Sequence, residues 1–236
     1  MVLILIAGGF VGGYWYGAEK SKIKTETAKT EQAVTEGVCL KDMSISDAGS
    51  NLKNYKNDRY GFEFSYPNDY ELEVNADFEA AASVTLSSKK EKVGGFTVGV
   101  VYNPTLVDPL TAAKQSNEEC LAKEKELEAK GEPTGVSCGL MLGNIDQWKV
   151  TKINDHLTGY RTGIQAETIL TDTYYLMDSQ YKGRILKFTA NITNIPSRTD
   201  SQSDPVLVAT NDKDVKNFLG VFDQIINSAK VNWLGI

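Results

Sequence analysis

Alternation of large apolar and polar side chains is strongest between Tyr55 and Tyr70, where YKNDRYGFEFSYPNDY sets Tyr60, Phe62, Phe64 and Tyr66 at every second position. A period of two belongs to a half-buried strand. Residues 59–66 are therefore predicted as a founding strand, ended by the turn Pro67-Asn68-Asp69, with residues 70–74 returning as its hairpin partner. Residues 82–87 and 95–102 (GFTVGVVY) read as two further strands joined by a polar turn. After the segment 131–146, four more strands are expected at 147–153, 160–166, 168–177 and 184–191, with a hairpin loop at 178–183.

Two stretches change period. Asp108 followed by Pro109 is an N-cap with proline at the first helical position, and Gly131 is a stop. The intervening helix carries Glu119 with Lys123 and Glu126 with Lys130 at i, i+4 spacing. Its apolar side (Leu110, Ala113, Cys120, Leu121, Leu127) is thin, so it is expected to lie over a sheet rather than inside a core. Near the C-terminus, Val215, Phe218, Leu219, Phe222, Ile225, Ile226 and Ala229 fall on one helical stripe. Residues 228–233 then leave as a short edge strand. Runs of strands with two helices set apart predict an α+β fold with a mainly antiparallel sheet. Residues 194–205 read as a polar loop.

Upstream of this region the pattern is lost. Residues 1–17 (MVLILIAGGFVGGYWYG) carry no charged side chain, and Tyr14, Trp15 and Tyr16 end the run with aromatics that favour a membrane interface. About 17 apolar residues is the lower limit for a spanning helix, and no small-x-small cleavage site follows. Residues 1–18 are thus expected to be a retained transmembrane anchor. Cys39 stands too far beyond the run to be a lipidation site. Residues 19–54, rich in Lys, Thr, Glu, Ala, Ser and Asp, read as a flexible tether with Cys39 exposed in it, and residues 55–236 as the folded domain. Lys20, Lys22 and Lys24 follow the anchor and no basic residue precedes it, which taken literally puts the domain in the cytoplasm. An opening directly on Val-Leu-Ile-Leu-Ile is instead expected to mean a start lying upstream and encoding basic residues, with the domain extracytoplasmic.

Composition bounds the function. Lys+Arg 25 against Asp+Glu 31 gives a net charge of −6, and no basic cluster offers nucleic-acid phosphates a partner. A hydrophobic fraction of 41% and a charged fraction of 24% are those of a globular chain. Beyond the tether roughly 180 residues remain, enough for one domain with a substantial core.

The segment YGFEFSYPNDYELEV, after its Tyr-Lys-Asn lead-in, together with the terminal FDQIINSAKV, resembles the two ends of the PsbP-like domain family. The resemblance spans residues 55–233. It implies an α/β/α sandwich on an antiparallel sheet and accessory or binding work rather than catalysis. That family includes an extrinsic photosystem subunit, a nuclear-transport factor and many bacterial surface proteins. It has no shared catalytic motif, so no functional residue is carried over.

Candidate chemistry is sparse. Gly135-Val136-Ser137-Cys138-Gly139 matches the G-x-S-x-G nucleophile pattern, but a Gly-Glu-Pro turn precedes it where a strand is needed, so a small-residue loop is the better reading. His156, the single histidine, adjoins Asp155 in a polar loop, and one His with one carboxylate is not a metal site. Asp172, Asp178 and Asp212 match no calcium-loop spacing and read as solvated surface. Asn191-Ile192-Thr193 is a glycosylation sequon only where a host has the machinery. Cys120 and Cys138 would form a disulfide in an exported domain, closing a loop worth about 3 kcal/mol, or remain small buried thiols in a reducing compartment. No metal and no cofactor is expected. The leading function is a non-catalytic, membrane-anchored accessory domain engaging a protein partner or envelope component. A small-ligand or divalent-metal-binding surface domain is the alternative, with Tyr174, Tyr175 and nearby carboxylates lining a concave site. A surface-polymer hydrolase is the third and needs a converging carboxylate pair or nucleophile set.

Overall fold

The computed structural model describes residues 20–21, 42–49, 51–75, 83–89, 93–133, 145–195, 205–209 and 212–233. In chain order the elements begin with β1 (Lys20–Ser21), β2 (Met43–Asp47), β3 (Leu52–Asn57), β4 (Phe62–Pro67), β5 (Tyr70–Asn75), β6 (Ser83–Ser88) and β7 (Gly94–Tyr102). They continue with α1 (Pro109–Ala129), β8 (Lys149–Lys152), β9 (Leu157–Ala166), β10 (Ile169–Asp178) and β11 (Arg184–Ile192), then α2 (Pro205–Ala209), α3 (Lys213–Ser228) and β12 (Lys230–Val231). The strands form an eight-stranded sheet in the order β1-β5-β6-β7-β11-β10-β9-β8 and a four-stranded sheet in the order β12-β4-β3-β2. Neighbouring strands run antiparallel in both. The fold is α+β and mainly antiparallel, as the pattern predicts.

The founding strand is present and its partner is not the expected one. β4 buries Phe62, Phe64 and Tyr66 and leaves the residues between them half-buried. It pairs with β3 and β12, whereas β5 pairs with β6 and β1 in the other sheet. A two-residue hairpin of the favoured kind needs a positive φ in its turn. Neither Asn68 nor Asp69 has one, so the chain swings out of the plane of β4 and enters the second sheet. The turn is tied to both sheets, with Asn68 N–H donating to the Asn51 carbonyl and Lys89 N–H to that of Asp69.

The domain also begins earlier than the tether reading allows. β2 and β3 lie largely before Tyr55 and pair from Met43↔Asn57 to Asp47↔Lys53. β2 buries almost nothing, so its backbone ladder, not side-chain burial, holds it. That is why its composition looks unstructured. The anchor residues 1–18, including Tyr14, Trp15 and Tyr16, lie outside the described residues, as does Cys39. Among the described residues no helix is long and apolar enough to cross a membrane.

The core fills the space between the inner faces of the two sheets and α3. The large sheet contributes Val84, Leu86, Phe96, Val98, Leu186 and Phe188, all fully buried. α3 is capped by Asp212, whose Oδ1 accepts from Asp214 N–H at 2.8 Å and Val215 N–H at 3.1 Å. Its predicted stripe is the buried one, and each fully buried Phe or Ile contributes about 1.5–3 kcal/mol. Phe96 carries the junction, stacking on Phe218 at 4.2 Å, Phe222 at 5.4 Å and Tyr70 at 5.5 Å. The chain end is stapled to β4. The Ser228 hydroxyl accepts from Ser65 N–H at 2.8 Å, β12 adds two rungs, and Trp233 Nε1 donates to the Tyr60 carbonyl at 3.0 Å.

The outer face of the large sheet is different. β7 sends Phe96, Val98 and Val100 inward, and its alternate residues on the outer face are Gly95, Thr97 and Gly99. α1 starts at the predicted cap, Asp108 Oδ1 accepting from Thr111 N–H, and Gly131 takes φ +68 after it. The predicted Glu126–Lys130 ion pair forms. α1 buries only Pro109 and Ala113, in keeping with its thin apolar side, and packs beside the 3-10 turn Ile145–Gln147.

Burial inside this core has a pH consequence. The Tyr66 phenol is pushed up to about 12 by burial, with a smaller contribution from neighbouring Tyr55. The folded state keeps this proton over a pH range in which the unfolded phenol, near its ordinary value, releases it. Stability is therefore full below about pH 10 and falls as pH rises towards about 12, by up to about 2 kcal/mol from this group. Urea midpoints measured across that range should fall in the wild type and fall less in Tyr66→Phe.

Candidate functional site

The residues singled out in the sequence do not converge. The segment Gly135–Gly139, with Ser137 and Cys138, lies outside the described residues, and Cys120 is half-buried on α1. His156 is exposed in the β8–β9 loop, its Nε2 3.4 Å from the Gln180 amide nitrogen. Asp212 is spent as the cap of α3, and Asp178, at the end of β10, accepts from Gln180 N–H. Among the described residues no group of three His, Cys, Asp or Glu side chains is placed to hold a metal ion. Tyr174 and Tyr175 are consecutive on β10 and so point to opposite faces of the sheet. They cannot line one concave site. Tyr174 is buried on the α3 side, while Tyr175 stacks on Trp148 at 5.8 Å on the outer face.

Asp172, expected on the surface, is fully buried. Its carboxylate is held by Arg161, whose Nε donates to Oδ1 and Oδ2 at 3.0 and 3.1 Å while Nη2 donates to Oδ2. The same guanidinium reaches α3, with Nη1 donating to Asp223 Oδ1 at 2.8 Å and its carbon 5.9 Å from the centre of the Phe222 ring. Burial works against the charge on Arg161. The hydrogen bond and charge of Asp172, followed by Asp223, outweigh it and hold the arginine above its ordinary pKa. Gly159 makes room for the neighbouring ring, because a Cβ there would collide with the Tyr174 hydroxyl. With Arg161 occupying both Asp172 oxygens, the cluster offers no free acid, base or nucleophile. It is a lock between β9, β10 and α3. The β9–β10 register sets Gly163 opposite Asp172 and Arg161 one diagonal away, a neighbourhood that neither strand's sequence shows by itself.

A groove of about 530 Å³ opens between the β3–β4 turn and β12, lined by Lys56, Asp58, Glu63 and Lys230 among others. Its charges are already matched, Lys56 with Asp58 and Lys230 with Glu63. No net charge is left there to select a ligand.

The loops after β7 and before β11 form the most distinctive surface. Asn103 is buried and joins them, with Nδ2 donating to the carbonyls of Val107 and Lys182 at 2.8 Å each and N–H donating to that of Gly183 at 2.9 Å. This frame holds Leu106 at φ +57, a left-handed conformation that costs a residue with a Cβ roughly 1–2 kcal/mol. The strained leucine is displayed to solvent at 56% exposure, as is Tyr102 at 56%. A Cβ built on Gly183 would lie 3.9 Å from both Leu106 and Tyr181, so those two side chains flank it. The Arg184 guanidinium lies 5.8 Å over the Tyr181 ring, and its Nη1 is buried with no hydrogen-bond partner among the described residues. Trp233 lies 6.3 Å from Tyr181. Tyr and Arg side chains on a rigid frame are the residue types enriched in interface hot spots.

The chain matches no family model. No curated protein matches it either. Among solved structures it is similar to the solution structure of cyanobacterial PsbP (CyanoP) from Synechocystis sp. PCC 6803, at 13% identity over 80% of this chain and 98% of that one, with a TM-score of 0.46.

Proposed function

We propose that this chain is a membrane-anchored, extracytoplasmic accessory domain that binds a protein partner and performs no catalysis. The anchor is the apolar run closed by Tyr14, Trp15 and Tyr16. The sequence resemblance of residues 55–233 to PsbP-like domains supports an accessory role and the sandwich architecture. The observation that carries partner binding is Leu106, a leucine kept at φ +57 and 56% exposed between Tyr102 and Tyr181. Strain of this kind persists where a site is over-determined by its surroundings. Lys182 and Arg184 supply cations to this loop end of an otherwise acidic chain, so the partner surface is apolar at its centre and acidic at its rim.

Leu106→Gly separates binding from folding. Glycine accepts the left-handed conformation, so thermal stability should stay level or rise by up to about 1 kcal/mol. Partner recovered with the full chain from detergent-solubilised membranes should fall at least tenfold, while Val150→Ser on the opposite edge leaves it unchanged. Equal loss from both variants, or from neither, overturns the assignment.

An extracytoplasmic domain would also carry a Cys120–Cys138 disulfide. Peptide mapping without reductant should recover the two cysteines linked, and Cys120→Ser should lower stability by about 3 kcal/mol. Free thiols at both positions in protein purified under alkylating conditions contradict that export and pairing.

A further inference from the structure

The edges of the two sheets are not equally closed to a further strand. A free edge offers unpaired N–H and C=O groups, and a short edge strand, or one bearing lysine or proline, discourages another chain from using them. β1 and β12 are two residues long, and β8 carries Lys149 and Lys152 at its ends. β2 has none of these guards. It runs for five residues as Met-Ser-Ile-Ser-Asp, without lysine, proline or glycine. Among the described residues it pairs with β3 alone, and all of it beyond Met43 is exposed.

The hydrogen bonds of β2 to β3 fix which of its groups stay free. Asp58 N–H donates to the Asp42 carbonyl at 2.7 Å, and Ala48 N–H donates to the Leu52 carbonyl at 3.0 Å. Bonded and non-bonded pairs alternate along an antiparallel ladder, so the even-numbered residues of β2 turn their main-chain groups towards β3. Met43, Ile45 and Asp47 turn theirs to the open edge. These three are spaced evenly about Ile45, which makes the edge its own complement under a two-fold axis. A second β2 laid antiparallel sets Ile45 against Ile45 and each Met43 against an Asp47, and the free groups of all three find partners.

The side chains agree with this register. Ile45 lies opposite Tyr55 on the face that Tyr55 and Met43 turn to the core, yet it is 40% exposed. Ile45 and Met43 of a second copy would cover it. Charge fits as well. Asp47 has Lys53 opposite it within its own chain and meets a methionine across the new pair, while Ser44 meets Ser46, so no like charges face each other. Centring the axis on Asp47 instead would oppose two carboxylates, which disfavours that slip.

We propose that two copies of this chain associate through β2, antiparallel and centred on Ile45, joining their small sheets into one continuous sheet in the order β12-β4-β3-β2-β2-β3-β4-β12. The same patch serves on both copies, as a closed two-fold dimer requires. This edge is separate from the loop end proposed for the protein partner and does not rest on that reading.

The test is sedimentation equilibrium of the full chain in detergent matched to the solvent density. Wild-type protein is expected to show a reversible monomer–dimer equilibrium. Ile45→Lys and Ile45→Glu each set like charges opposite at the axis and remove the apolar contact, and each should raise the dimer dissociation constant roughly tenfold or more. Mixed in equal amounts, the two variants should recover a heterodimer, because lysine then faces glutamate. Position 45 gives no main-chain hydrogen bond to β3 and its side chain is partly exposed, so both variants should keep melting temperatures close to wild type. Leu106→Gly should leave dimerisation unchanged, which keeps failure here distinct from failure of the protein-partner reading. Three results overturn the inference: a monomer at every concentration, a dimer that survives both Ile45 variants, or a mixture that associates no better than its components.

Discussion

Arg161→Met is expected to destabilise the domain by about 3–5 kcal/mol, because it strands a buried carboxylate rather than because it removes an attraction. Asp172 is 0% exposed, and both its oxygens accept from this guanidinium. Without it the carboxylate must either stay charged in the core or take up a proton, and both are costly. The link to Asp223 contributes less, since that carboxylate is about half exposed. Urea unfolding of the full chain in detergent should show a midpoint well below wild type for Arg161→Met. The double variant Arg161→Met, Asp172→Leu should recover most of the loss, since an apolar pair can replace a buried ion pair at little net cost. If the double variant is as unstable as the single, stranded charge is not the cause.

Phe96→Ala is the second large effect, at about 3–5 kcal/mol. Phe96 is the one ring that touches Phe218, Phe222 and Tyr70 together. Removing it opens a cavity where β7, β5 and α3 meet, and none of those elements can close it without losing its own register. Phe96→Leu keeps most of the volume and should cost less than half as much. Thermal unfolding followed by circular dichroism distinguishes the two. A loss in the alanine variant no larger than in the leucine variant would contradict a junction role for this ring.

What the sequence reveals follows from which forces leave a local trace. α3 and most of the strands β6 to β11 are legible because burial imposes a period on their side chains, and α1 because Asp108 and Gly131 mark its ends, whereas Asp212, which reads as solvated surface, turns out to cap α3. The partner of β4 was not legible, since an Asn-Asp turn carries no sign of which plane it leaves. β2 was missed because its backbone pairs while its side chains stay wet. Arg161–Asp172 was hidden for a different reason. It depends on register between strands, and a single residue such as Asp172 looks like surface until its opposite neighbour is known. Leu106 carries no sequence signal at all, because its left-handed backbone is imposed by the hydrogen bonds of Asn103 and not by its own side chain.

The measurement that bears most directly on a partner-binding domain outside the membrane is cross-linking from the loop end in intact cells. A membrane-impermeant maleimide photo-cross-linker would be attached to Tyr181→Cys in a Cys39→Ser background. The predicted result is labelling of intact cells and, on illumination, one discrete protein adduct that disappears when Leu106→Gly is added. Labelling only after lysis would put the domain on the cytoplasmic side, and labelling without a Leu106-dependent adduct would remove the loop end as its binding surface.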